Sequence, residues 1–99
     1  MDYVIFGIEK SKKKALDIIL IDDLISRQSI TIRDASAIDI KKDMQYVLIE
    51  GDEMAIKKAV ELFEKENFKR EPVKEAEKIY RKIKEQEDNA AAGVGFIFG

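Results

Sequence analysis

The sequence predicts one α+β domain in which helices cover one face of an antiparallel sheet, as a two-layer sandwich. Two patterns predict this class: short apolar or alternating segments that are typical of strands, and apolar residues at helical spacing between them. The chain of 99 residues suits a single domain with one hydrophobic core. Its apolar content of 45% is ordinary for such a domain, whereas 38% charged residues is high.

The N-terminal part of the chain predicts a strand followed by a helix. Residues 3–8 are apolar and β-prone, so we expect a buried strand there. Ser11 can cap the helix, and a helix that covers one face of a sheet needs only an apolar stripe. The apolar positions of this helix are Ala15, Leu16, Ile18, Ile19, Leu20, Ile21, Leu24 and Ile25. Those at Leu16, Ile18, Ile19, Leu20 and Ile21 spread over most of its circumference. The apolar side chains beyond the stripe that the sheet requires predict a contact with the helix at 72–88 or a subunit interface.

Residues 29–40 alternate like a strand, but two polar residues fall on the apolar parity. Asp34 and Ser36 share that parity with the isoleucines of the segment. Either the strand breaks near Arg33 and Asp34, or the two polar side chains face the core side and meet a polar ligand or a subunit. For the second case we name Arg33, Asp34 and Ser36 as the candidate ligand-binding residues.

The middle of the chain predicts a second strand and a second helix. Residues 45–50 alternate, and their short distance from the preceding strand predicts an antiparallel hairpin. Asp52 is a suitable N-cap for a helix whose apolar positions are Ile56, Ala59, Val60 and Phe63. Residues 67–71 then predict a short edge strand.

The C-terminal part predicts a further helix and an apolar tail, so that the single domain 1–99 has a core at 1–71. Pro72 suits the first turn of a helix at 72–88. Residues 89–99 have no charged side chain, and we expect them either to complete the sheet as a strand or to dock as an extended peptide on a neighbouring chain. The candidate partner-binding residues are Val94, Phe96 and Phe98.

The order of the predicted elements, β-α-β-β-α with a weak strand and a helix after it, resembles the ferredoxin-like arrangement. The stretch Val47-Leu48-Ile49-Glu50-Gly51-Asp52-Glu53-Met54-Ala55-Ile56-Lys57-Lys58-Ala59-Val60 resembles the strand–Gly-Asp–helix step of ACT domains and of bacterial microcompartment shell domains. Phe6-Gly7-Ile8-Glu9 is similar to the end of the first strand of the shell domains. The resemblance covers residues 3–63 and implies a fold; it transfers no functional residue.

The composition argues against most catalytic chemistry. The chain has no His and no Cys, so it lacks the commonest general base and the strongest nucleophile. The carboxylates at 22–23 and 50–53 have no calcium-loop spacing and are interpreted as capping or solvent-exposed groups. We therefore expect no enzyme, no catalytic residue, no metal site and no cofactor.

Charge and hydropathy limit the partners. A net charge of −2 gives no overall basic field, which argues against nucleic acid, and the lysines at 12–14 lack the glycines of a phosphate-binding loop. Tyr3, Phe6 and Tyr46 are interpreted as core or sheet-surface aromatics rather than as an RNA-stacking platform. We expect no membrane segment and no signal peptide, hence a cytoplasmic protein, and the dense charge predicts a heat-adapted source.

Taken together, these patterns predict a small non-enzymatic binding or regulatory module that works through homo-oligomer or protein-partner contacts. The resemblance to shell domains implies a second possibility, a structural protein that assembles with copies of itself. A nucleic-acid-binding domain is a third alternative.

Overall fold

A computed structural model describes the backbone of residues 2–98 and the side chains of residues 2–88. Two single turns of 3₁₀ helix, Lys10–Lys12 and Ala35–Ile38, lie between the main elements. In chain order those elements are β1 (Asp2–Glu9), α1 (Lys13–Leu20), α2 (Asp23–Ser26), β2 (Ser29–Asp34), β3 (Met44–Gly51), α3 (Glu53–Lys65) and α4 (Val73–Phe98).

The three strands form one antiparallel sheet in the order β1-β3-β2. The predicted hairpin of β2 and β3 is confirmed, with Thr31 opposite Leu48. The edge strand predicted at 67–71 is reduced to a single antiparallel bridge between Arg70 and Phe6. Beside that bridge, the Glu71 N–H donates to the Ile5 carbonyl at 2.8 Å.

One face of the sheet, here called the first face, is covered by α1, α2 and α3. It carries the even-numbered side chains of β1 and the odd-numbered side chains of β3, which pack against the three helices. The rings of Phe6 and Phe63 stack there with centroids 3.9 Å apart and an interplanar angle of 5°. The buried side chains of this cluster are Val4, Phe6, Ile8, Leu16, Ile19, Ile25, Val47, Ile49, Ala59, Phe63 and Phe68.

The opposite face, the second face, is covered by α4. Ile5 and Leu48 are fully buried there, in one cluster with Ala76, Ile79 and Ile83 of α4. The predicted helices of the sandwich lie on one face as expected, but the additional C-terminal helix covers the opposite face, so the prediction of two layers is wrong. The physical reason is that β1 and β3 are apolar on both parities, and each face of such strands must be removed from water.

The long helix predicted across residues 11–25 is divided into α1 and α2. The Asp22 side chain accepts hydrogen bonds from the N–H groups of Leu24 at 3.0 Å and Ile25 at 3.2 Å, and so caps α2. Aspartate is a better cap than an interior helix residue, which favours a new helix start at this position. The predicted break in the alternating segment is confirmed, because β2 ends at Asp34.

Both ends of α3 are fixed by local hydrogen bonds. The predicted cap is confirmed: the Ala55 N–H donates to the Asp52 carboxylate at 2.8 Å. At the other end Asn67 has a left-handed φ of 64°. Its N–H donates to the Glu64 carbonyl, and the Phe68 N–H donates to the Phe63 carbonyl, both at 2.9 Å. This Schellman arrangement turns the chain back toward β1.

The C-terminal helix is longer than predicted. The backbone of α4 continues to Phe98, whereas its end was predicted at Asp88, with a strand or an extended peptide after it. The side chains of the candidate partner-binding residues Val94, Phe96 and Phe98 lie outside the described residues.

Candidate interaction surfaces

The three candidate ligand-binding residues do not form one site. Arg33 and Asp34 are consecutive in β2, so their side chains leave opposite faces of the sheet. On the first face, Asp34 Oδ1 accepts from Gln45 Nε2 of the adjacent strand at 3.1 Å. Ser36 lies in the 3₁₀ turn after the strand and is exposed.

Arg33 lies on the second face and contacts the middle of α4. Its Nε donates to Gln86 Oε1 at 3.1 Å, and one terminal nitrogen is 4.0 Å from Glu87 Oε1. Gln86 in turn donates to the Ala37 carbonyl at 2.7 Å. The contacts of Arg33 therefore join β2 to α4.

A second polar group joins α4 to the middle strand. Lys84 Nζ donates to Glu50 Oε1 at 2.9 Å, and Tyr80 Oη donates to Glu50 Oε2 at 3.2 Å. The Tyr80 ring also stacks on Tyr3, with centroids 4.2 Å apart. We call these four residues, Tyr3, Glu50, Tyr80 and Lys84, the Glu50 cluster.

The contacts within the Glu50 cluster shift the pKa values of Lys84 and Tyr80. The hydrogen bond to Glu50 raises the pKa of Lys84, which therefore stays positively charged. Burial, with the negative charge of Glu50, raises the pKa of Tyr80, which therefore stays neutral. Glu50 and Lys84 are 34 positions apart, and no local pattern indicates the pair. It becomes visible only when α4 is placed on the second face.

The predicted core role is confirmed for Phe6 and Tyr46, which are 0% and 2% exposed. Tyr3 is stacked beneath α4 on Tyr80. With α4 on the second face, these aromatic side chains do not form an open platform.

Apolar side chains remain in solvent on the helices of the first face. On α1 and at its end, Ile18 is 68% exposed and Ile21 is 78% exposed, and Leu24 on α2 is 37% exposed. Residues three apart lie on the same side of a helix, whereas Leu16 and Ile19 point into the core. We call Ile18, Ile21 and Leu24 the α1–α2 strip.

The surface also has open grooves, of which three adjoin the segment after α3. One of about 420 Å³ lies between the start of β1 and residues 70–73, and one of about 530 Å³ lies between Lys12 and residues 66–72. Within residues 2–88, no polar or charged residue is buried and no group of carboxylates has the arrangement of a metal site. The second groove is lined mainly by charged side chains of both signs, and each of these is at least partly exposed.

Among the described residues, no helix is both long and apolar enough to cross a membrane. The chain shows no significant match to any protein-family model, curated protein or solved structure.

Proposed function

We propose that this protein is a small non-enzymatic interaction module that binds a second copy of itself through the α1–α2 strip. The observation that carries the proposal is the exposure of Ile18 and Ile21, at 68% and 78%, on a helix whose other side is already in the core. Exposed apolar side chains that form a contiguous patch are typical of interaction sites.

The position of α4 supports a subunit interface. The apolar surplus of the first helix has two candidate explanations, a contact with the C-terminal helix or a contact with another subunit. Through its described side chains α4 packs on the second face, with Ile79 and Ile83 in the cluster of Ile5 and Leu48. Because α1 packs on the first face, α4 does not cover the strip, and a second copy is the occupant that we propose.

The strip is small, so we expect a dimer that dissociates on dilution. Moving one isoleucine side chain from full exposure to full burial contributes roughly 1.5–3 kcal/mol, and association costs rotational and translational freedom. A dimer of this strength suits a regulatory module, whereas a hexameric ring would favour the shell-like alternative.

The strand order supports a ferredoxin-like arrangement as part of this proposal. The order β1-β3-β2 places the first strand beside the third, and the Phe6–Arg70 bridge lies on the free side of β1. We propose that this bridge is a reduced fourth strand. The specific resemblance to ACT or shell domains stays a prediction.

The test is the molar mass of the wild type and of two variants, measured by light scattering during gel filtration. In Ile18→Lys/Ile21→Lys the strip carries charge, and we expect only monomer. Met54→Lys is the matched control, because Met54 is also 78% exposed but lies on α3; it should match the wild-type mass. A double variant that associates as strongly as the wild type would contradict the proposal.

A further inference from the structure

We propose that the outer edge of β2 is a strand-pairing surface for β2 of a second copy, and that Arg33 keeps it closed while α4 holds the guanidinium. This surface is distinct from the α1–α2 strip, and the proposal does not rest on that strip.

The hydrogen-bond parity of the sheet shows which groups of β2 face outward. In an antiparallel pair, a residue exchanges both backbone bonds with the residue opposite it or neither. The Ile5 carbonyl accepts from the Glu71 N–H, so the backbone polar groups of Ile5 point away from β3. Leu48, which lies opposite Ile5 in β3, therefore directs its own backbone groups to Thr31 of β2. The alternate residues of β2, Ile30, Ile32 and Asp34, therefore direct their N–H and C=O groups outward.

Arg33 occupies the centre of this outer edge. Its Nη1 donates to the outward-facing Ile32 carbonyl at 3.0 Å, while its Nε donates to Gln86 of α4 at 3.1 Å. One side chain therefore contacts both the central acceptor of the edge and the middle of α4. A charged side chain placed over an exposed edge is a known means of preventing strand addition.

The edge fits a second copy of the same strand. A two-fold axis at Ile32 places Ile32 opposite Ile32 of the second copy and Ile30 opposite Asp34 of the second copy. The outward-directed N–H and C=O groups of the two strands then face each other. Arg33 then stands opposite Thr31 of the second copy, and no like charges oppose each other. The pairing would also cover Ile32, whose side chain is 37% exposed on the first face.

The experiment removes the guanidinium in the Ile18→Lys/Ile21→Lys background, where association through the strip is absent. Arg33→Thr retains a residue that favours strands, and Arg27→Thr is the matched control, because Arg27 is an exposed arginine that pairs with Asp23 of α2. We expect Arg33→Thr to double the molar mass and to slow amide hydrogen exchange at Ile30, Ile32 and Asp34. The control should stay monomeric with fast exchange at those amides.

A second variant keeps the sequence of β2 intact. Gln86→Ala/Glu87→Ala removes the contacts of α4 with Arg33, and we expect partial association with weaker protection of the same three amides. If Arg33→Thr does not fold, this variant decides the matter. The proposal would be overturned if a folded Arg33→Thr variant has a monomeric mass and unchanged amide exchange. If Arg33→Thr does not fold, the same result in Gln86→Ala/Glu87→Ala would overturn it.

Discussion

The helices on the two faces of the sheet differ in how completely they are covered. Over its described side chains, α4 buries Ala76, Ile79 and Ile83 and adds polar contacts to both β2 and β3. By contrast, α1 buries Leu16 and Ile19 but leaves Ile18 and Ile21 in solvent. The difference indicates that the second face is covered within the chain, whereas the first-face helices retain exposed apolar side chains.

The largest expected effect is a difference in the free energy of unfolding between substitutions on the helices of the two faces. Ile83→Ala removes a side chain that is 0% exposed on the sheet-facing side of α4 and should lower the free energy of unfolding by about 2–5 kcal/mol. Ile21→Ala, at a position 78% exposed, should change the stability of the monomer by less than about 0.5 kcal/mol. Urea denaturation at high dilution measures both. Equal losses would show that Ile21 belongs to the core.

The next effect compares two helix caps on the first face. Asp22→Ala and Asp52→Ala each remove a carboxylate that accepts backbone N–H groups, and each should cost about 0.5–2 kcal/mol. Only Asp22 caps α2, which carries part of the α1–α2 strip. We therefore expect Asp22→Ala also to weaken dimerisation, whereas Asp52→Ala leaves it unchanged. The molar masses of the two variants are compared under conditions in which the same fraction of each is folded. Equal association of both variants would contradict this prediction.

A smaller effect tests the polar attachment of the second face. Glu50→Gln removes the charge that Lys84 contacts, and because Lys84 is 36% exposed we expect a loss of only about 1 kcal/mol or less. Thermal or urea unfolding near neutral pH measures it. A loss several times larger would mean that the Glu50 cluster, rather than the apolar contacts, holds α4 on the sheet.

The same cluster predicts how stability changes with pH. The folded-state pKa values of Tyr80 and Lys84 are both raised, so their contributions are present below the ordinary values of 10.0 and 10.5 and are lost as the pH rises through the folded-state values. Burial raises the pKa of Tyr46 in the same direction. We expect alkaline destabilisation that is shallower in Glu50→Gln. Identical pH profiles for the variant and the wild type would contradict this assignment.

Local sequence patterns predicted the strands. The features that these patterns did not predict depend on contacts between residues that are distant in the sequence. The alternation of residues 45–50 and the capping position of Asp52 depend on neighbours in sequence, and both predictions are confirmed. Helical periodicity also indicated that α4 has an apolar side. It could not indicate which face of the sheet that side covers, because β1 and β3 are apolar on both.

The candidate sites show the same division. The apolar surplus of the first helix was visible in the sequence, but whether the described side chains of α4 pack against it could be seen only from the position of α4. The grouping of Arg33 with Asp34 followed from their adjacency, although adjacent strand residues point to opposite faces. The contact of Arg33 with Gln86 spans 53 positions and has no local signal.

Sedimentation equilibrium of the wild-type protein over a wide concentration series is the most direct test of a self-association surface on the first-face helices. We predict an average mass that rises from one chain toward two as the concentration increases, and that stays at one chain in Ile18→Lys/Ile21→Lys. A wild-type mass of one chain at every concentration up to the millimolar range would contradict the account.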